Sequence, residues 1–350
     1  MLFFFFPISP LLLSLPSSSF FLFLLLPLCS PATDTSGHLS YTWKDLWRFA
    51  DATPGSHVIG MSEIKRYLHQ FGYFPAGSIG FSDHYDANLQ ASLRLYQTRL
   101  GLPVTGTLNR PTLSQMITPR CGVHDGQDFS GVARRYVYFP GRPTWQPGRK
   151  QLSYWIYTDT FPEYLEAAVI RQVFERAFAK WAAAIPMNFT ATDLEEAADI
   201  RIGFYSGEHG DREPFDGVLG VLGHAFAPEN GRLHLDSAET WAVDLEADGS
   251  KVAVHLESVV VHEIGHLLGL GHSSVKEAVM YPSLRPRTRK TDLSVDDVKG
   301  VQSLYGSNPN FVPSSVQTND QHGQQVGSGA YTLNGLEPWC FLFLLFSIFF

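Results

Sequence analysis

The sequence lacks an excess of positive charge and is poor in cysteine. It has 26 lysines and arginines against 34 aspartates and glutamates, for a formal net charge of −8. A protein of this charge has no electrostatic attraction for nucleic acid, so we exclude a nucleic-acid partner. Only three of the 350 residues are cysteines, Cys29, Cys121 and Cys340, which excludes a densely disulfide-bonded scaffold.

The N-terminal segment lacks the lysine or arginine that usually precedes the apolar run of a secretory signal. Residues 1–28 are nevertheless mostly apolar and are followed by small residues near Ala32, which is typical of a cleavage site. We therefore predict a signal peptide over residues 1–31 and a secreted protein. A signal anchor is the alternative, but four prolines within the run disfavour a membrane-spanning helix.

The C-terminal apolar segment, WCFLFLLFSIFF, is too short to span a bilayer, which needs about 20 apolar residues. It follows a polar spacer and the small residues Ser328, Gly329 and Ala330. This order is typical of the signal for a glycosylphosphatidylinositol (GPI) anchor, attached at Ser328 after removal of residues 329–350. The polar residues 307–328 would then be a disordered stalk that holds a monomer at the extracellular face of the plasma membrane. The alternative is a frayed apolar terminus, which would promote aggregation.

Cys121 is left alone by these predictions, because Cys29 and Cys340 lie in or beside segments that processing removes. A single thiol in an oxidising compartment has no partner for an intramolecular disulfide. Cys121 therefore needs another role.

Residues 41–118 show helical periodicity in three places. Apolar residues cluster at 46–50, at 64–71 after the cap-like Ser62, and at 89–100 before Gly101. We predict a small three-helix domain over residues 41–118, within a propeptide of residues 32–135. Residues 122–150 are rich in glycine, proline and arginine, and we predict an exposed linker that is open to proteolysis.

Residues 136–306 mix the two periodicities. Alternating apolar residues predict strands near residues 152–157 and 199–205, and longer amphipathic patterns predict helices over 163–184, 252–268 and 292–305. The sequence therefore predicts an α+β domain of a size usual for a single core.

The segment HEIGHLLGLGH, residues 262–272, carries the chemistry. His262 and His266 lie on the same side of a helix, and Gly269 can end that helix so that His272 returns as a third ligand. Three nitrogen ligands leave zinc one open position, where it binds a water and lowers its pKa to about 7. Glu263 can take the proton of that water and pass it to a leaving amine.

Met280 and Ser273 indicate which family of zinc proteins the sequence resembles. Met280 follows His272 by eight residues, in AVMYP, and resembles the methionine turn that lies under the metal in metzincins. Ser273 stands where several sister families carry an acidic residue. Residues 41–306 thus resemble the matrix metalloproteinases, or matrixins, which implies a metzincin-like catalytic domain with a twisted, mostly parallel sheet and three helices. Only residues 307–350 follow Gly306, so the chain resembles the short plant-type matrixins without the family's C-terminal propeller.

The segment PRCGVHD, residues 119–125, resembles the cysteine switch of the matrixins, with His124 where proline is common. The resemblance implies that the Cys121 thiolate occupies the fourth position on zinc in the precursor and excludes the water. It also implies that Arg120 and Asp125 pair to hold the loop.

A second group of metal-binding side chains lies upstream, at His209, Asp211, His224 and His234. Three imidazoles and one carboxylate make a closed tetrahedral site of the structural kind. The spacing resembles that of the matrixins, which implies a second, structural zinc ion.

The resemblance also implies at least one calcium ion, a hard cation that binds oxygen. Its ligands would be three carboxylates and nearby backbone carbonyls, from Asp216, Gly217, Leu219, Val221, Asp236 and Glu239.

The resemblance implies a substrate that lies antiparallel to an edge strand ending at Leu222 and Gly223, by strand addition. Residues 281–284, including Pro282 and Leu284, would form the wall of the primary pocket. The family usually has an aromatic residue at the position of Leu284.

Activation of the precursor implies a cut in the linker by another protease. A cut after Arg134 and Arg135 would make Tyr136 the new N-terminus, and Asp296 and Asp297 match an acidic pair that receives it. Asn188 begins the sequon Asn188-Phe189-Thr190 and is the predicted glycosylation site.

Together these features predict a secreted zinc endopeptidase made as a zymogen that cleaves extracellular or cell-surface proteins. Two alternatives remain open, a zinc amidase that acts on cell-wall glycopeptide and a non-catalytic cell-surface binding protein. Glu263 argues against the binding protein, because metal binding does not need it.

Overall fold

The computed structural model describes residues 43–50, 52–75, 77, 80–125 and 136–312. The predicted signal peptide, Ser328, the anchor signal and most of the predicted stalk lie outside these ranges, as do Arg134 and Arg135. Within the described ranges, no helix is both long enough and apolar enough to cross a membrane.

The N-terminal domain is helical. Its elements are a 3₁₀ helix, Trp43–Phe49, and three α-helices: α1 (Met61–Gln70), α2 (Ala87–Arg99) and α3 (Arg110–Met116). Asp86 caps α2 and Asn109 caps α3, each by accepting a backbone N–H bond with its side chain.

Two local predictions in this domain were wrong. The cluster at 46–50 forms the 3₁₀ helix, and α3 had escaped prediction because only Leu113 and Met116 mark its apolar face. Ser62 does not cap α1, because Gly60 holds that position with φ 86°. The Ser62 N–H is instead satisfied by Asp83 Oδ1 at 3.0 Å.

The larger, C-terminal part of the described chain is built on a six-stranded sheet in the order β1-β5-β6-β4-β2-β3. The strands are β1 (Arg120–Cys121), β2 (Gln151–Ile156), β3 (Asn188–Ala191), β4 (Ile200–Tyr205), β5 (Val221–Ala225) and β6 (Arg232–Asp236). Only β5 and β6 pair antiparallel among these described strands; the other neighbours are parallel. A two-stranded ribbon joins β7 (Trp241–Ala242) to β8 (Val254–His255).

Three helices complete this domain, α4 (Ala167–Ala184), α5 (Leu256–Leu267) and α6 (Val295–Tyr305). Trp181 of α4 is fully buried, and its indole N–H donates to the Val261 carbonyl of α5 at 2.9 Å. Tyr154 of β2 stacks on Phe178 of α4 with ring centroids 4.3 Å apart. The predicted α+β fold, with a mostly parallel sheet and three helices after a small helical domain, is confirmed.

The prediction of an exposed linker over residues 122–150 holds only in part for the described residues: Pro140, Gly141 and Arg142 are exposed, but other residues are not. Asp125 is buried, and so are Val137 and Trp145. The Trp145 indole donates to the Leu267 carbonyl at 2.8 Å, at the end of α5. A segment rich in glycine, proline and arginine can thus pack against a domain where its few large apolar side chains are buried in the hydrophobic core.

Candidate active site and metal centres

Helix α5 and the turn after it position the three predicted ligands. His262 and His266 lie one turn apart on a helix whose residues are all buried. Gly269 has φ 94°, and a Cβ there would overlap the Pro143 carbonyl oxygen, so only glycine fits this turn. The chain then brings His272 back beside the helix.

The three imidazoles meet through their Nε2 atoms. His266 Nε2 lies 3.1 Å from His262 Nε2 and 3.2 Å from His272 Nε2. The Nδ1 atoms face outward to oxygen: that of His262 lies 2.7 Å from the Val279 carbonyl, and that of His266 lies 2.7 Å from the Leu270 carbonyl.

The arrangement of protons fits a bound cation. A carbonyl oxygen only accepts hydrogen bonds, so His262 and His266 carry their protons on Nδ1 and present Nε2 lone pairs to each other. Burial lowers the pKa of both imidazoles well below the usual value, and the neighbouring histidines lower it further. Neutral nitrogen donors converging in a buried site suit zinc, with the outer nitrogens orienting each ring.

Glu263 is fully buried beside these ligands. Among the described residues, neither carboxylate oxygen has a hydrogen-bond partner. Burial raises the pKa of this carboxyl to about 8. A buried carboxyl group whose oxygens form no hydrogen bond can exchange protons with a substrate or a water in the cleft.

The segment around Cys121 fills the cleft in front of the three histidines. On one side, the Gly122 N–H donates to the Gly223 carbonyl of β5 at 2.8 Å. On the other, the Cys121 N–H donates to the Pro282 carbonyl at 2.9 Å, and the Leu284 N–H donates to the Pro119 carbonyl at 2.9 Å. The chain therefore runs as an added strand between both walls of the cleft.

The Cys121 sulfur completes the cluster. It lies 3.4 Å from His266 Nε2, and the four donor atoms of Cys121 and the three histidines lie within 4.8 Å of one another. Burial and the Glu263 charge raise the pKa of the thiol well above its usual value. A bound cation acts in the opposite sense and would favour the thiolate.

Arg120 and Asp125 form a buried ion pair beside the thiol, with Arg120 Nη2 2.6 Å from Asp125 Oδ1. The guanidinium also lies over the Phe71 ring of the N-terminal domain, 3.7 Å from its centroid. Burial alone would raise the pKa of Asp125, but Arg120 and His272 outweigh it and hold that pKa well below its usual range.

Met280 packs directly under the metal-binding helix. A Cβ at Gly265 would overlap the Met280 sulfur and crowd the Trp181 ring. The turn that carries Met280 is held by Asp297, whose carboxylate accepts the N–H groups of Val279 at 2.9 Å and Met280 at 3.0 Å. The family resemblance had suggested Asp297 only as a partner for a new N-terminus. No local sequence pattern indicated that Asp297 holds this turn.

The contact between Gly265 and Met280 makes Gly265→Ala a destabilising change. We expect overpacking to cost about 1 to 3 kcal/mol of unfolding free energy, which lowers the thermal midpoint by roughly 2 to 10 °C. Differential scanning calorimetry measures the shift. The matched control is Gly249→Ala, since a Cβ at Gly249 meets nothing within 4 Å; an equal shift in both variants would contradict the packing argument.

The second predicted cluster also comes together. His224 and His234 lie opposite each other on β5 and β6. Asp211 Oδ2 is 2.7 Å from His224 Nε2, 2.7 Å from His234 Nδ1 and 2.9 Å from His209 Nε2. Burial lowers the pKa of His224, and it lowers that of His234 to about 4, so both imidazoles are neutral near pH 7. Three imidazole nitrogens gathered around one carboxylate oxygen fit the donor set of a closed zinc site.

The predicted calcium ligands are less tightly gathered. Of the described residues, only the two sets above bring three or more metal-binding side chains within 4.8 Å. Asp216 Oδ1 accepts the Val221 N–H, and Asp236 Oδ2 accepts the Gly217 N–H. Burial raises the pKa of Asp236 to about 6 and that of Glu239 to about 8, with the neighbouring carboxylates adding to both shifts.

Three of the four predicted substrate-binding residues, Leu222, Pro282 and Leu284, line one cleft next to Glu263, and Lys290 also lines it. The cleft encloses about 310 Å³ when the space open to solvent is counted, and Gly223 is not among its lining residues. Asn188 lies far along the sheet on the edge strand β3, where it is exposed.

Comparisons with known proteins agree with this geometry. A family model described as Matrixin matches residues 144–306, and one for a peptidoglycan binding domain matches residues 60–116. The chain is 54% identical to Metalloendoproteinase 1-MMP of Arabidopsis thaliana over 80% of this chain and 78% of the relative. It is 50% identical to Metalloendoproteinase 4-MMP of the same plant (83% and 87% covered) and 38% identical to human matrilysin (72% and 89% covered). The chain therefore belongs to the matrixin family and is a zinc metalloendopeptidase.

Proposed function

We propose that the chain is secreted as a latent precursor and, once activated, hydrolyses peptide bonds of extracellular or cell-surface proteins. The observation that carries this proposal is the convergence of Cys121, His262, His266 and His272 beside the uncommitted carboxylate of Glu263. Residues 32–135 would be the propeptide and residues 136–306 the mature catalytic domain.

In the mature enzyme, His262, His266 and His272 would hold the catalytic zinc. When bound, this ion lowers the pKa of a water to about 7 and polarises the carbonyl of the scissile bond. Glu263 then accepts a proton from the attacking water and donates it to the leaving amine. The edge strand β5, with Leu222 and Gly223, would pair with the substrate backbone, while Pro282 and Leu284 bound the pocket for the residue after the cut.

Latency follows from the orientation of the switch segment. Strand β1 runs parallel to β5, whereas the family resemblance implies an antiparallel substrate. A reversed chain presents its peptide groups to Glu263 in the opposite direction, so the segment occupies the cleft without being a substrate. Cys121 would add a fourth ligand to the zinc and exclude water from it.

The second cluster would hold a structural zinc ion with His209, Asp211, His224 and His234. Asp216, Asp236 and Glu239, with carbonyls near Gly217, Leu219 and Val221, would bind at least one calcium ion. The raised pKa values of Asp236 and Glu239 support this, because burial and the neighbouring carboxylates disfavour their charges and a bound hard cation would offset both effects.

Loss of the structural zinc is expected to destabilise the domain. His234→Ala removes one of four ligands and should lower the zinc content from two ions per chain to one, with a lower thermal midpoint. Plasma emission spectrometry and calorimetry measure the two effects. His69→Ala, which removes an exposed histidine of the N-terminal domain, should change neither; unchanged zinc content in His234→Ala would refute the site.

The signal peptide, the glycosylated Asn188, the stalk and the GPI anchor at Ser328 together describe a protein of the outer cell surface. An activating protease would cut near Arg135. Mass spectrometry of the mature protein tests each of these, because it fixes both termini, the glycan and any lipid.

The test of the catalytic proposal is cleavage of a quenched fluorescent peptide library by the activated enzyme. We expect the enzyme to cleave internal peptide bonds, and we expect a metal chelator to stop the cleavage. Activity on cell-wall muropeptides but not on peptides would favour an amidase instead.

A further inference from the structure

His272 differs from the other two candidate zinc ligands in the partner of its outer nitrogen. His262 and His266 face backbone carbonyls of the catalytic domain. His272 Nδ1 instead lies 2.6 Å from Asp125 Oδ1, a carboxylate 147 residues away in the switch segment. Both side chains are buried.

We infer that Asp125 positions His272 and strengthens metal retention in the precursor. This inference deepens the proposed function, since it takes His272 as a zinc ligand. Asp125 would complete a carboxylate–histidine–metal arrangement across the domain boundary. The propeptide therefore contacts the metal centre twice, through the Cys121 sulfur and through a carboxylate behind His272.

The surroundings of Asp125 suit this role. Its Oδ1 accepts from Arg120 Nη2 at 2.6 Å as well as from His272. Arg120 is itself fixed, because its Nε donates to the Cys121 carbonyl at 3.2 Å and its guanidinium covers the Phe71 ring. The carboxylate is thus paired with a guanidinium and aimed at His272 by the propeptide. A carboxylate acceptor on the outer nitrogen fixes the tautomer of a ligating histidine and raises its basicity toward the metal.

Cleavage would remove the contacts of Cys121 and Asp125 with the metal centre together. Asp125 precedes the proposed cut near Arg135 in the sequence, so the carboxylate leaves with the propeptide. The mature enzyme then holds its zinc with one fewer orienting group, and the precursor is the form that retains the ion best.

The experiment measures the rate of zinc loss to a chelator. Every protein carries Glu263→Ala, so that none cleaves itself. Four precursors are compared: this parent, and the parent with Cys121→Ser, with Asp125→Asn, or with both. We expect Asp125→Asn to speed the loss of one zinc ion about 10- to 100-fold, and to do so on top of Cys121→Ser. Asp83→Asn, which alters a propeptide carboxylate bonded to the Ser62 N–H, is the matched control and should leave the rate unchanged.

A spectroscopic readout separates positioning from general loosening. In ¹⁵N-histidine-labelled precursor, Asp125→Asn should shift the Nδ1–H resonance of His272 and leave those of His262 and His266 in place. Comparable shifts in all three would mean a loosened domain and would overturn the inference, as would a double variant that loses zinc no faster than Cys121→Ser alone.

A third comparison does not depend on the folding of Asp125→Asn. The parent cut in its linker and freed of the propeptide should lose zinc faster than the uncut Cys121→Ser precursor, because only the latter keeps the propeptide, and with it Asp125, against the site. Equal rates would refute the role of Asp125. Failure of the proposed function gives a different result, since adding His272→Ala to the parent would then leave zinc content unchanged.

Discussion

Replacing Glu263 by glutamine is expected to lower kcat/KM of the activated enzyme by about 10² to 10⁴, the usual contribution of general acid–base catalysis. The change keeps the shape of the side chain and removes its capacity to accept a proton. The zinc content should stay the same, because Glu263 is not one of the converging donors. Initial rates on a quenched peptide, with metal analysis of the same samples, measure both quantities.

The matched control for this prediction is Glu257→Gln. Glu257 is another buried carboxylate of α5, but it is bonded to Arg176 at 2.8 Å and takes no part in the cleft. Its loss should leave kcat/KM near the wild-type value. Equal, chelator-insensitive rates for wild type and Glu263→Gln would remove the basis for the mechanism and favour a binding protein.

Replacing Cys121 by serine is expected to yield a precursor that is active without an added protease. The hydroxyl is a far weaker zinc ligand than a thiolate, so water gains access to the metal. The backbone hydrogen bonds of the segment to β5 and to residues 282–284 remain. We therefore expect the cleft to open only partly. Activity of the uncut chain should still rise at least about tenfold. A tenfold rise requires the closed state to be destabilised relative to the open state by only about 1.4 kcal/mol.

The appearance of processed protein during expression, followed by N-terminal sequencing, provides the second readout of Cys121→Ser. The same change in a Glu263→Ala background is the control and should give an intact, inactive chain, which shows that processing is self-cleavage. A latent, stable Cys121→Ser precursor would count against ligation of the metal by the thiol.

Much of the candidate site could be predicted from the sequence because its geometry is local. The four-residue spacing of His262 and His266 fixes their common side of α5, and Gly269 alone fits the turn that returns His272. The second cluster depends on longer contacts, but the antiparallel register of β5 and β6 places His224 opposite His234.

Other features had no local signal. The contact of Asp125 with His272 joins residues 147 apart, and it exists only because the switch segment lies between β5 and residues 282–284. The burial of Trp145 in a polar, glycine-rich stretch is likewise decided by tertiary packing against Leu267. Helix α3 was not predicted, because it is short and only Leu113 and Met116 mark its apolar face; its cap, Asn109, is the clearer signal.

The added strand β1 has a consequence for the solubility of the two forms. Strand β1 is itself an edge strand of the six-stranded sheet and covers β5, with the Arg120 and Gly122 N–H groups donating to the carbonyls of Gly220 and Gly223. If the proposed cleavage removes β1, strand β5 becomes the edge of the sheet, and an open strand edge is a template for pairing with another molecule. The proposed mature form would therefore carry a self-association hazard at this edge that the uncut chain does not.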